Sequence, residues 1–439
     1  MVDQRRIDDQ RWVDARTAAR HLGIQVRSLY AYVSRGQVRS VPGEHGRPRL
    51  YALGDLERLR VRRDARTGHG PVAAAALRWG EPVLDSAITA ITPRGPAYRG
   101  HLAVELAEQG TRFENVAELL WSGFLPGEPV TWPRVAISPA TIIRPEVWRP
   151  EVGRASPHAA RPLDVMALLV SVAAFADPDR DDRRPDMIIG RGRRLIPLLA
   201  AALAGTDTAR MVRSLGGATV ATVAARALGL DDEAAPILDR VLVLLADHEL
   251  NASSFTARIA ASTDADPYAC VSAALATLSG VRHGTASEEV ARFADEVGSP
   301  EAVRAAVRAL RKRDQVPPGF GHPLYPHGDP RTAPILAAAK SLRGNRKSQT
   351  LVALAEATID RIGPRPSGRG PAKVVNDAFP TADVALAALV AALGAPPPAG
   401  SGLFAVARAA GWLAHALEQR AANFLLRPRA RYVGPPVTS

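Results

Sequence analysis

The chain has 439 residues, of which 46% are hydrophobic and 23% charged, and this composition excludes extensive disorder. The length predicts two or three domains. The single cysteine, Cys270, excludes an intrachain disulfide, and no Cys/His grouping has the spacing of a zinc site. No apolar run reaches the roughly 18 residues that span a membrane, and no secretion signal follows Met1. We therefore predict a cytoplasmic protein without a metal site or a membrane contact.

The net charge of +12 is unevenly distributed. Residues 1–69 contain 15 arginines and 8 acidic residues, a local net charge of +7. Such a segment is typical of a nucleic-acid contact. However, the chain has only four lysines against 52 arginines, which indicates a general preference for arginine. The charge alone is therefore weak support for a nucleic-acid partner.

The first 70 residues predict a small domain followed by a linker. Thr17–Leu22 and Val26–Ser34 form two short helices with helix-turn-helix spacing. Short strands at Val38–Ser40 and Arg49–Tyr51 predict a basic wing, and Asp55–Arg62 predicts a third helix. A polar segment containing glycine and proline then marks a domain boundary near residue 70.

This pattern resembles the winged helix-turn-helix of the MerR and excisionase type. In that type the second helix enters the major groove and the wing contacts phosphates. The candidate DNA contacts are Arg27, Ser28, Tyr30 and Arg35 on or beside the second helix, and Arg47 and Arg49 on the wing. The alternative is that the domain mediates a dimer or partner contact.

Beyond residue 80 the apolar pattern is mostly helical. Strand signals are confined to short pieces such as Ser86–Ile91. No glycine-rich loop follows a strand, which excludes Rossmann and P-loop nucleotide sites. The predicted helices are Val104–Glu108, Val116–Trp121, Leu163–Phe175, Leu195–Ala204, Thr208–Leu228, Asp232–Asp247, Pro267–Leu278, Pro300–Lys312, Thr332–Leu342, Ser348–Ile362, Asp383–Leu393 and Leu403–Arg420. The remainder is therefore predicted to be an all-α domain.

Two histidines lie at the ends of the segment Ala246–Glu289, which is rich in small residues and helical in pattern. His248 and His283 each stand where an apolar run gives way to polar residues, so each imidazole can face a cleft while its helix is anchored in a core. A single histidine at a helix end is more often structural. A functional role for the pair therefore depends on partners from other segments.

Later segments supply such partners. The loop Pro317–Arg331 is rich in glycine and proline and contains His322, while Asp383 precedes a strongly apolar helix. Arg408 lies on the last predicted helix and Arg427 on the extended stretch after it. These residues complete a set of imidazoles, one carboxylate and guanidinium groups.

Together the segments resemble the citrate synthase family. The matching motifs are Asp247–Ser253, His283–Ala286, Gly319–His322, Asp329–Arg331, Gly411–His415 and Arg427–Arg429, and the resemblance covers roughly residues 80 to 435. It implies a mainly α, citrate synthase-like two-domain fold behind the winged helix-turn-helix domain. The implied large domain comprises residues 80–279 and 379–435, and the implied small domain residues 280–378.

The resemblance also implies an activity and its residues. Acetyl-CoA condenses with oxaloacetate and the thioester is hydrolysed to citrate and CoA, with no permanently bound cofactor. Asp383 is the implied base, His283 the donor to the thioester oxygen, and His322 the group that polarises the oxaloacetate carbonyl. His248, Arg331, Arg408 and Arg427 are the implied substrate-binding residues. The last arginine crosses from the neighbouring subunit in this family, which implies a homodimer.

Several alternatives remain open at this level. Asn376-Asp377 competes with Asp383 as the source of the base, although the apolar helix after Asp383 favours the latter. His327 and His415 are interpreted as structural. Thr285 and Ser287 depart from the family pattern, which leaves both the acyl-CoA specificity and the turnover rate open.

The function has two alternatives. One is a 2-methylcitrate synthase, which uses propionyl-CoA, because one methylene changes a pocket by only about 1–3 kcal/mol. The other is a metabolite-sensing DNA-binding regulator with a synthase-like ligand domain.

Overall fold

The computed structural model describes residues 12–56 except 23, 35–37, 43–47 and 54; residues 84–133; residues 161–357 except 214–216 and 314; residues 379–428; and residues 434–435. The chain divides into two compact units, one of residues 1–85 with 429–439 and one of residues 86–428. None of the helices in these described ranges is long and apolar enough to cross a membrane.

The first unit contains two helices and a three-stranded antiparallel sheet. In chain order its elements are β1 (Trp12–Asp14), α1 (Ala15–Leu22), α2 (Val26–Ser34), β2 (Ser40–Val41) and β3 (Leu50–Ala52), with β3 in the middle of the sheet. The predicted helices are present, and the two predicted strands lie one or two residues further along the chain. The first strand was not predicted. The predicted third helix lies mostly outside the described residues.

A small apolar core holds this unit together. Ala18 and Leu22 of α1 pack with Leu29 of α2 and Tyr51 of β3, all at most 3% exposed. The Asp14 carboxylate accepts the backbone N–H of Thr17 at 2.8 Å and so begins α1. The apolar faces of α1 and α2 therefore share one core with the sheet.

The second unit is mainly helical. It begins with an antiparallel meander of β4 (Thr89–Thr92), β5 (Gly95–Tyr98) and β6 (His101–Leu102), near the predicted strand Ser86–Ile91. Its helices in chain order are α3 (Ala103–Glu108), α4 (Phe113–Ser122), α5 (Pro162–Ala176), α6 (Pro185–Ala201), α7 (Thr208–Arg213), α8 (Val220–Ala227), α9 (Ala235–Leu245), α10 (Ala252–Ser262), α11 (Pro267–Leu278), α12 (Ala286–Val297), α13 (Val303–Lys312), α14 (Thr332–Ser341), α15 (Arg346–Glu356), α16 (Ala382–Ala392) and α17 (Ala399–Ala422). Short 3₁₀ turns lie at Ala202–Asp207, Asp232–Ala234 and Pro300–Ala302.

Several helices begin at side-chain caps. Thr219, Asn251, Asp266, Asn345 and Thr381 each accept a backbone N–H of the first turn that follows. A cap satisfies one of the N–H groups that have no partner inside the helix, and is worth about 1 kcal/mol. The cap residue in the local sequence therefore determines where each of these helices starts, namely α8, α10, α11, α15 and α16.

The prediction of one continuous helix over Thr208–Leu228 was wrong. The structure has α7 and α8 there, separated by Gly217 with φ +84° and by the cap Thr219. Glycine adopts this left-handed conformation without the steric cost that other residues carry. The apolar periodicity continues through the break, which is why periodicity alone did not reveal it.

Helix α17 is the centre of the second unit. It is buried along most of its 24 residues and packs against α4, α6, α10 and α11. Its small residues allow this packing: a Cβ on Gly411 would lie 2.3 Å from Oδ1 of Asp247. The backbone N–H of Gly411 instead donates to the carbonyl of Ala246 at 3.2 Å. The chain leading into α10 therefore lies directly against α17.

A second group of helices packs around α16. Helices α12, α14 and α15 all contact α16. This packing favours placing α16 with the predicted small domain, whose predicted end at residue 378 lies outside the described residues. The division into large and small domains otherwise remains a prediction.

Candidate active site

The first side of the site is the segment between α9 and α10. Tyr98 is fully buried, and its hydroxyl lies 3.2 Å from the carbonyl oxygen of Asp247 and 3.0 Å from that of Val243. Glu249 has φ +56°, and its N–H donates to the carboxylate of Asp247 at 3.1 Å. These contacts fix Asp247 and Glu249, and His248 is positioned between them.

His248 is 7% exposed and contacts two aromatic side chains. Its Nε2 lies 2.9 Å from the hydroxyl of Tyr325, and its ring centroid is 5.2 Å from that of His322. Burial, with the positive charges of Arg331 and Arg408, holds the pKa of His248 well below its ordinary value. The imidazole is therefore neutral.

His322 lies on the loop before α14. The N–H of Leu324 donates to its Nδ1 at 3.2 Å, so the hydrogen of the neutral ring is on Nε2. Burial and the charge of Arg331 lower its pKa to about 4. His322 is thus a neutral hydrogen-bond donor through Nε2.

Backbone hydrogen bonds join the His322 loop to the residues that precede α16. The N–H of Gly321 donates to the carbonyl of Phe379 at 2.9 Å, and that of Thr381 to the carbonyl of Gly319 at 2.8 Å. Gly319 has φ +77°, and a Cβ there would lie 2.6 Å from Val384. The glycine is required by both its conformation and this close approach.

Arg331 forms a buried ion pair with Asp329. Its Nε and Nη2 donate to the two carboxylate oxygens at 3.0 and 2.8 Å. Burial opposes ionisation of Asp329, but Arg331 holds the pKa of Asp329 below its ordinary value. The same carboxylate accepts the N–H of Ala382 at 3.1 Å. Asp329 therefore connects the guanidinium to the start of α16.

Asp383 lies in the first turn of α16 and is half-buried. The Thr381 hydroxyl donates to its Oδ2 at 3.2 Å. Burial raises the pKa of Asp383, and the charges of Arg331 and Arg408 partly oppose this effect. A carboxylate with a raised pKa is a stronger base than an exposed one.

His283 lies between α11 and α12. Its Nε2 is 2.9 Å from Oγ of Ser253, and the same oxygen accepts the indole N–H of Trp412 at 3.1 Å. Burial, followed by the charge of Arg408, lowers the pKa of His283 to about 4. This third imidazole is also neutral, and a fully buried serine on α10 holds it.

Arg408 is 1% exposed in the middle of α17. Its Nε donates to the carbonyl of Leu245 at 3.0 Å, and its guanidinium lies 4.5 Å from the ring centroid of Phe404. Burial lowers the pKa of Arg408 to about 10, and Asp247 opposes this effect. The group remains a cation near neutral pH.

The structure brings most of the predicted site residues together. Electrostatic interactions and direct contacts connect one set of six: His248, His283, His322, Arg331, Asp383 and Arg408. Arg427 is exposed on the stretch after α17, and within the described residues it makes no hydrogen bond to the other six. The competing Asn376-Asp377 lies outside the described residues.

Four further residues were not assigned a role from the sequence. They are Tyr325 and Asp329 on the His322 loop, Ser253 on α10 and Trp412 on α17. Asp329, Ser253 and Trp412 lie inside the motifs quoted above, so motif membership was the available signal for these three residues, whereas Tyr325 lies between two motifs.

The two histidines interpreted as structural lie in different environments. His415 is fully buried 3.4 Å from Asp247, and His327 is exposed. Of the residues that depart from the family pattern, Ser287 is buried against Gly400, and Thr285 precedes α12. No group of three metal-binding side chains occurs in the described ranges.

The candidate DNA contacts lie in the first unit. Arg27 and Tyr30 are exposed on α2, Ser28 is half-buried there, and Arg49 is exposed just before β3. Arg35 and Arg47 lie outside the described residues.

Comparison with known proteins identifies relatives of this chain. The sequence profile of the citrate synthase C-terminal domain matches residues 76–429. Citrate synthase 2 of Bacillus subtilis is 29% identical over 370 residues, which are 80% of this chain and 93% of that protein. A 2-methylcitrate synthase of Mycobacterium tuberculosis is 28% identical over 373 residues, which are 81% of this chain and 89% of that protein.

Solved structures agree with this result. Citrate synthase from Thermotoga maritima is 25% identical with a TM-score of 0.62, covering 82% of this chain and 96% of that one. The enzyme from Thermoplasma acidophilum, 22% identical, shares the fold with a TM-score of 0.64 over 83% of this chain and 97% of that one. Fold and site define a mainly helical enzyme of the transferase class. The chain belongs to the citrate synthase family, which confirms that prediction and its mainly helical fold.

Proposed function

We propose that this protein condenses an acyl-CoA with oxaloacetate and hydrolyses the resulting thioester, giving a citrate-type product and CoA. One observation carries the proposal: three neutral imidazoles and a carboxylate of raised pKa share a site with two buried guanidinium groups. Removal of a weakly acidic α-proton requires a base and an oxyanion donor together. Both are present here.

Enolisation is the first step. The Asp383 carboxylate takes a proton from the carbon next to the thioester carbonyl, and the electron pair moves towards the carbonyl oxygen. His283 donates a hydrogen bond to that oxygen through the ring nitrogen that Ser253 does not engage. Because His283 is neutral, it stabilises the enol without placing a full positive charge beside the arginines.

Condensation follows at the ketone of oxaloacetate. The enol carbon forms a bond to the carbonyl carbon and the thioester C=O reforms, while Nε2–H of His322 donates to the ketone oxygen and protonates the resulting alkoxide. The proton that Asp383 removed is then returned to His322, which restores both groups. Arg331, Arg408 and His248 bind the substrate carboxylates, for which planar guanidinium groups are well suited. Water then attacks the thioester carbonyl and CoA leaves with the proton on sulfur.

A homodimer completes this site in the proposal. Arg427 is exposed and lies on a stretch that is anchored to its own subunit. Gln419 donates to the carbonyl of Phe424 at 3.0 Å, and the N–H of Leu426 donates to Ser262 at 3.1 Å. Among the described residues Arg427 makes no hydrogen bond to the cleft residues of its own subunit, and an exposed arginine of this kind is suited to the cleft of a second subunit.

The acyl group is acetyl or propionyl. The relatives include citrate synthases and 2-methylcitrate synthases at similar identity. The Thermoplasma protein was crystallised as a ternary complex with carboxymethyl coenzyme A and oxaloacetate. This complex supports a CoA thioester and oxaloacetate as the two substrates. We also propose that the protein works in the cytoplasm, a location that the free thiol of buried Cys270 supports.

A thiol-release assay on the purified protein tests the activity. Release of CoA that depends on oxaloacetate is expected with acetyl-CoA, propionyl-CoA or both, and the ratio of kcat/KM values identifies the preferred acyl group. Absence of release with both donors would count against the proposal.

DNA binding by the first unit is a second candidate function. It is favoured by exposed Arg27 and Tyr30 on α2, beside the antiparallel pair β2 and β3. Binding of genomic fragments is expected to weaken steeply with salt and on the change Arg27→Ala. Equal affinity for all duplexes would count against specific recognition, and absence of binding would favour a dimer or partner contact instead.

A further inference from the structure

A cavity between helices α12, α15 and α16 lies apart from the candidate active site. We infer that this cavity is a binding site for a short-chain monocarboxylate. Its volume is about 80 Å³, well above the roughly 10–15 Å³ that one water molecule needs. None of the six residues grouped in the candidate active site lines it. Two of its lining residues, Gly394 and Pro397, are exposed, so a small solute can enter from solvent.

Most of the cavity wall is apolar. Seven of the ten lining residues are alanine, glycine, valine or proline, among them Ala291 on α12 and Val390 on α16. A phosphate ion has acceptor oxygens on all sides and would place some of them against this wall without a hydrogen bond, which is unfavourable. The wall therefore favours a molecule with an alkyl part and one polar end.

Three polar side chains complete the wall, those of Ser287, Asn345 and Lys347. The side chain of Asn345 is engaged at both ends. Its Oδ1 accepts the N–H of Ser348 at 2.9 Å, and its Nδ2 donates to the carbonyl of Ala391 at 3.2 Å. Recognition of a ligand therefore depends on the serine and the lysine.

Ser287 brings a hydroxyl without a partner to the cavity. The residue lies in the first turn of α12 and is 3% exposed. Its hydroxyl makes no hydrogen bond to any residue that the structure describes. A buried hydroxyl in this state is unfavourable. A ligand oxygen that accepts its hydrogen would remove this cost.

Lys347 is the one charged side chain among the described residues that line the cavity. Its Nζ donates to Oδ2 of Asp295 at 2.6 Å, but the Asp295 side chain is 58% exposed, and a surface ion pair of this kind contributes little. An ammonium group has three hydrogens, so Lys347 can also donate to a second anion. A cationic donor and a hydroxyl in an otherwise apolar wall are suited to a carboxylate with a short alkyl chain.

Titration of the purified full-length protein with sodium propionate, followed by saturation-transfer NMR, tests this site. Oxaloacetate is present in excess, so that the proposed catalytic cleft is occupied. The expected dissociation constant is on the order of 1 mM, as for a ligand of about five non-hydrogen atoms. Propionamide has the same shape without the charge, and inorganic phosphate lacks the alkyl part. Both are expected to bind about tenfold more weakly.

The matched variants are Lys347→Met and Lys340→Met. Each removes one surface ion pair, but the pair of Lys340 with Glu356 does not line the cavity. Lys347→Met is expected to weaken propionate binding about tenfold, as for loss of a hydrogen bond to a charged group, and Lys340→Met to change it less than about twofold. Ser287→Ala removes a hydroxyl that bonds no described residue, so the fold is retained, and it is also expected to weaken binding about tenfold.

Saturable binding that Lys347→Met and Ser287→Ala both weaken would support the site. Absence of binding at many times the expected dissociation constant would overturn it, as would equal binding by the two lysine variants or phosphate binding as tight as that of propionate. The titration does not measure turnover. CoA release by a protein that does not bind propionate would therefore leave the proposed function intact, and propionate binding without CoA release would support the cavity site alone.

Discussion

Tyr325 on the His322 loop contacts both His322 and His248, which lies on the opposite segment between α9 and α10. Its hydroxyl contacts Nε2 of His248 at 2.9 Å, and its ring centroid lies 4.9 Å from that of His322. The Arg331 guanidinium lies 5.9 Å from the same ring. Tyr325 therefore orients three of the groups that bind oxaloacetate in the proposed function.

The change Tyr325→Phe is expected to raise KM for oxaloacetate about 3- to 10-fold, because one net hydrogen bond is worth about 0.5–1.5 kcal/mol. Steady-state kinetics with varied oxaloacetate measure this effect. Tyr268→Phe is the control, since that hydroxyl bonds Asp177 at 2.9 Å and has no contact with these residues. A similar KM for both variants and the wild type would show that the hydroxyl has no such role.

The base gives a second prediction at this scale. Asp383 acts ionised, so kcat falls as the pH drops through its pKa, which burial raises above the ordinary aspartate range. Thr381→Ala removes the hydroxyl that favours the ionised form, so the acid limb of kcat against pH is expected to move to higher pH. The control Thr219→Ala also removes a helix cap and is expected to leave the limb unchanged. If the acid limb of kcat against pH stays in place in Thr381→Ala, the assignment of Asp383 as the base is contradicted.

The sequence pointed to the charged and imidazole groups that the structure brings together, but not to the residues that hold these groups in place. His248, His322 and Arg331 lie in motifs whose residue types match the chemistry, and Asp383 was selected because it precedes a strongly apolar helix. Tyr325 could not be assigned, because its contact with His248 joins residues 77 positions apart. Such a contact depends on helix packing that a linear pattern does not contain.

Among the elements, the His322 loop depends most on a single glycine. Gly319 and Gly298 both have φ +77°, but a Cβ would clash with Val384 and Val290 at 2.6 Å only at Gly319, whereas Gly298 has open space. Comparison of the two alanine variants thus separates the clash from the backbone strain.

Gly319→Ala is expected to lower the free energy of unfolding by about 1–2 kcal/mol more than Gly298→Ala, and to lower kcat because the loop carrying His322 shifts. Urea unfolding and the thiol-release assay measure the two effects. Equal stability and activity in both variants would show that the loop accommodates the added Cβ at Gly319 without a loss of free energy.

Helix existence was predicted more reliably than helix boundaries. Strong apolar periodicity identified α16 and α17 to within a few residues. The break between α7 and α8 and the early start of α6 at Pro185 depend on caps, glycine and proline within an otherwise continuous pattern. Periodicity averages over several turns and therefore does not detect such local signals.

For the whole molecule, the proposed dimer predicts complementation between inactive subunits. In a mixed dimer of Asp383→Ala and Arg427→Ala chains, one site has both changes and the other is intact if Arg427 acts across the interface. Random pairing in a symmetric dimer then gives about a quarter of wild-type activity. Coexpression followed by the thiol-release assay measures this value. No recovery in the mixture would show that Arg427 acts within its own subunit, whereas activity of Arg427→Ala alone would show that Arg427 is not required.

The most direct test of the central claim is oxaloacetate-dependent CoA release by the wild-type protein and by Asp383→Ala. With acetyl-CoA or propionyl-CoA, the wild type is expected to turn over, and Asp383→Ala to lose about 100- to 10,000-fold in kcat, as for loss of a general base. Wild-type protein that releases no CoA from either donor, or release that Asp383→Ala leaves unchanged, would contradict the account.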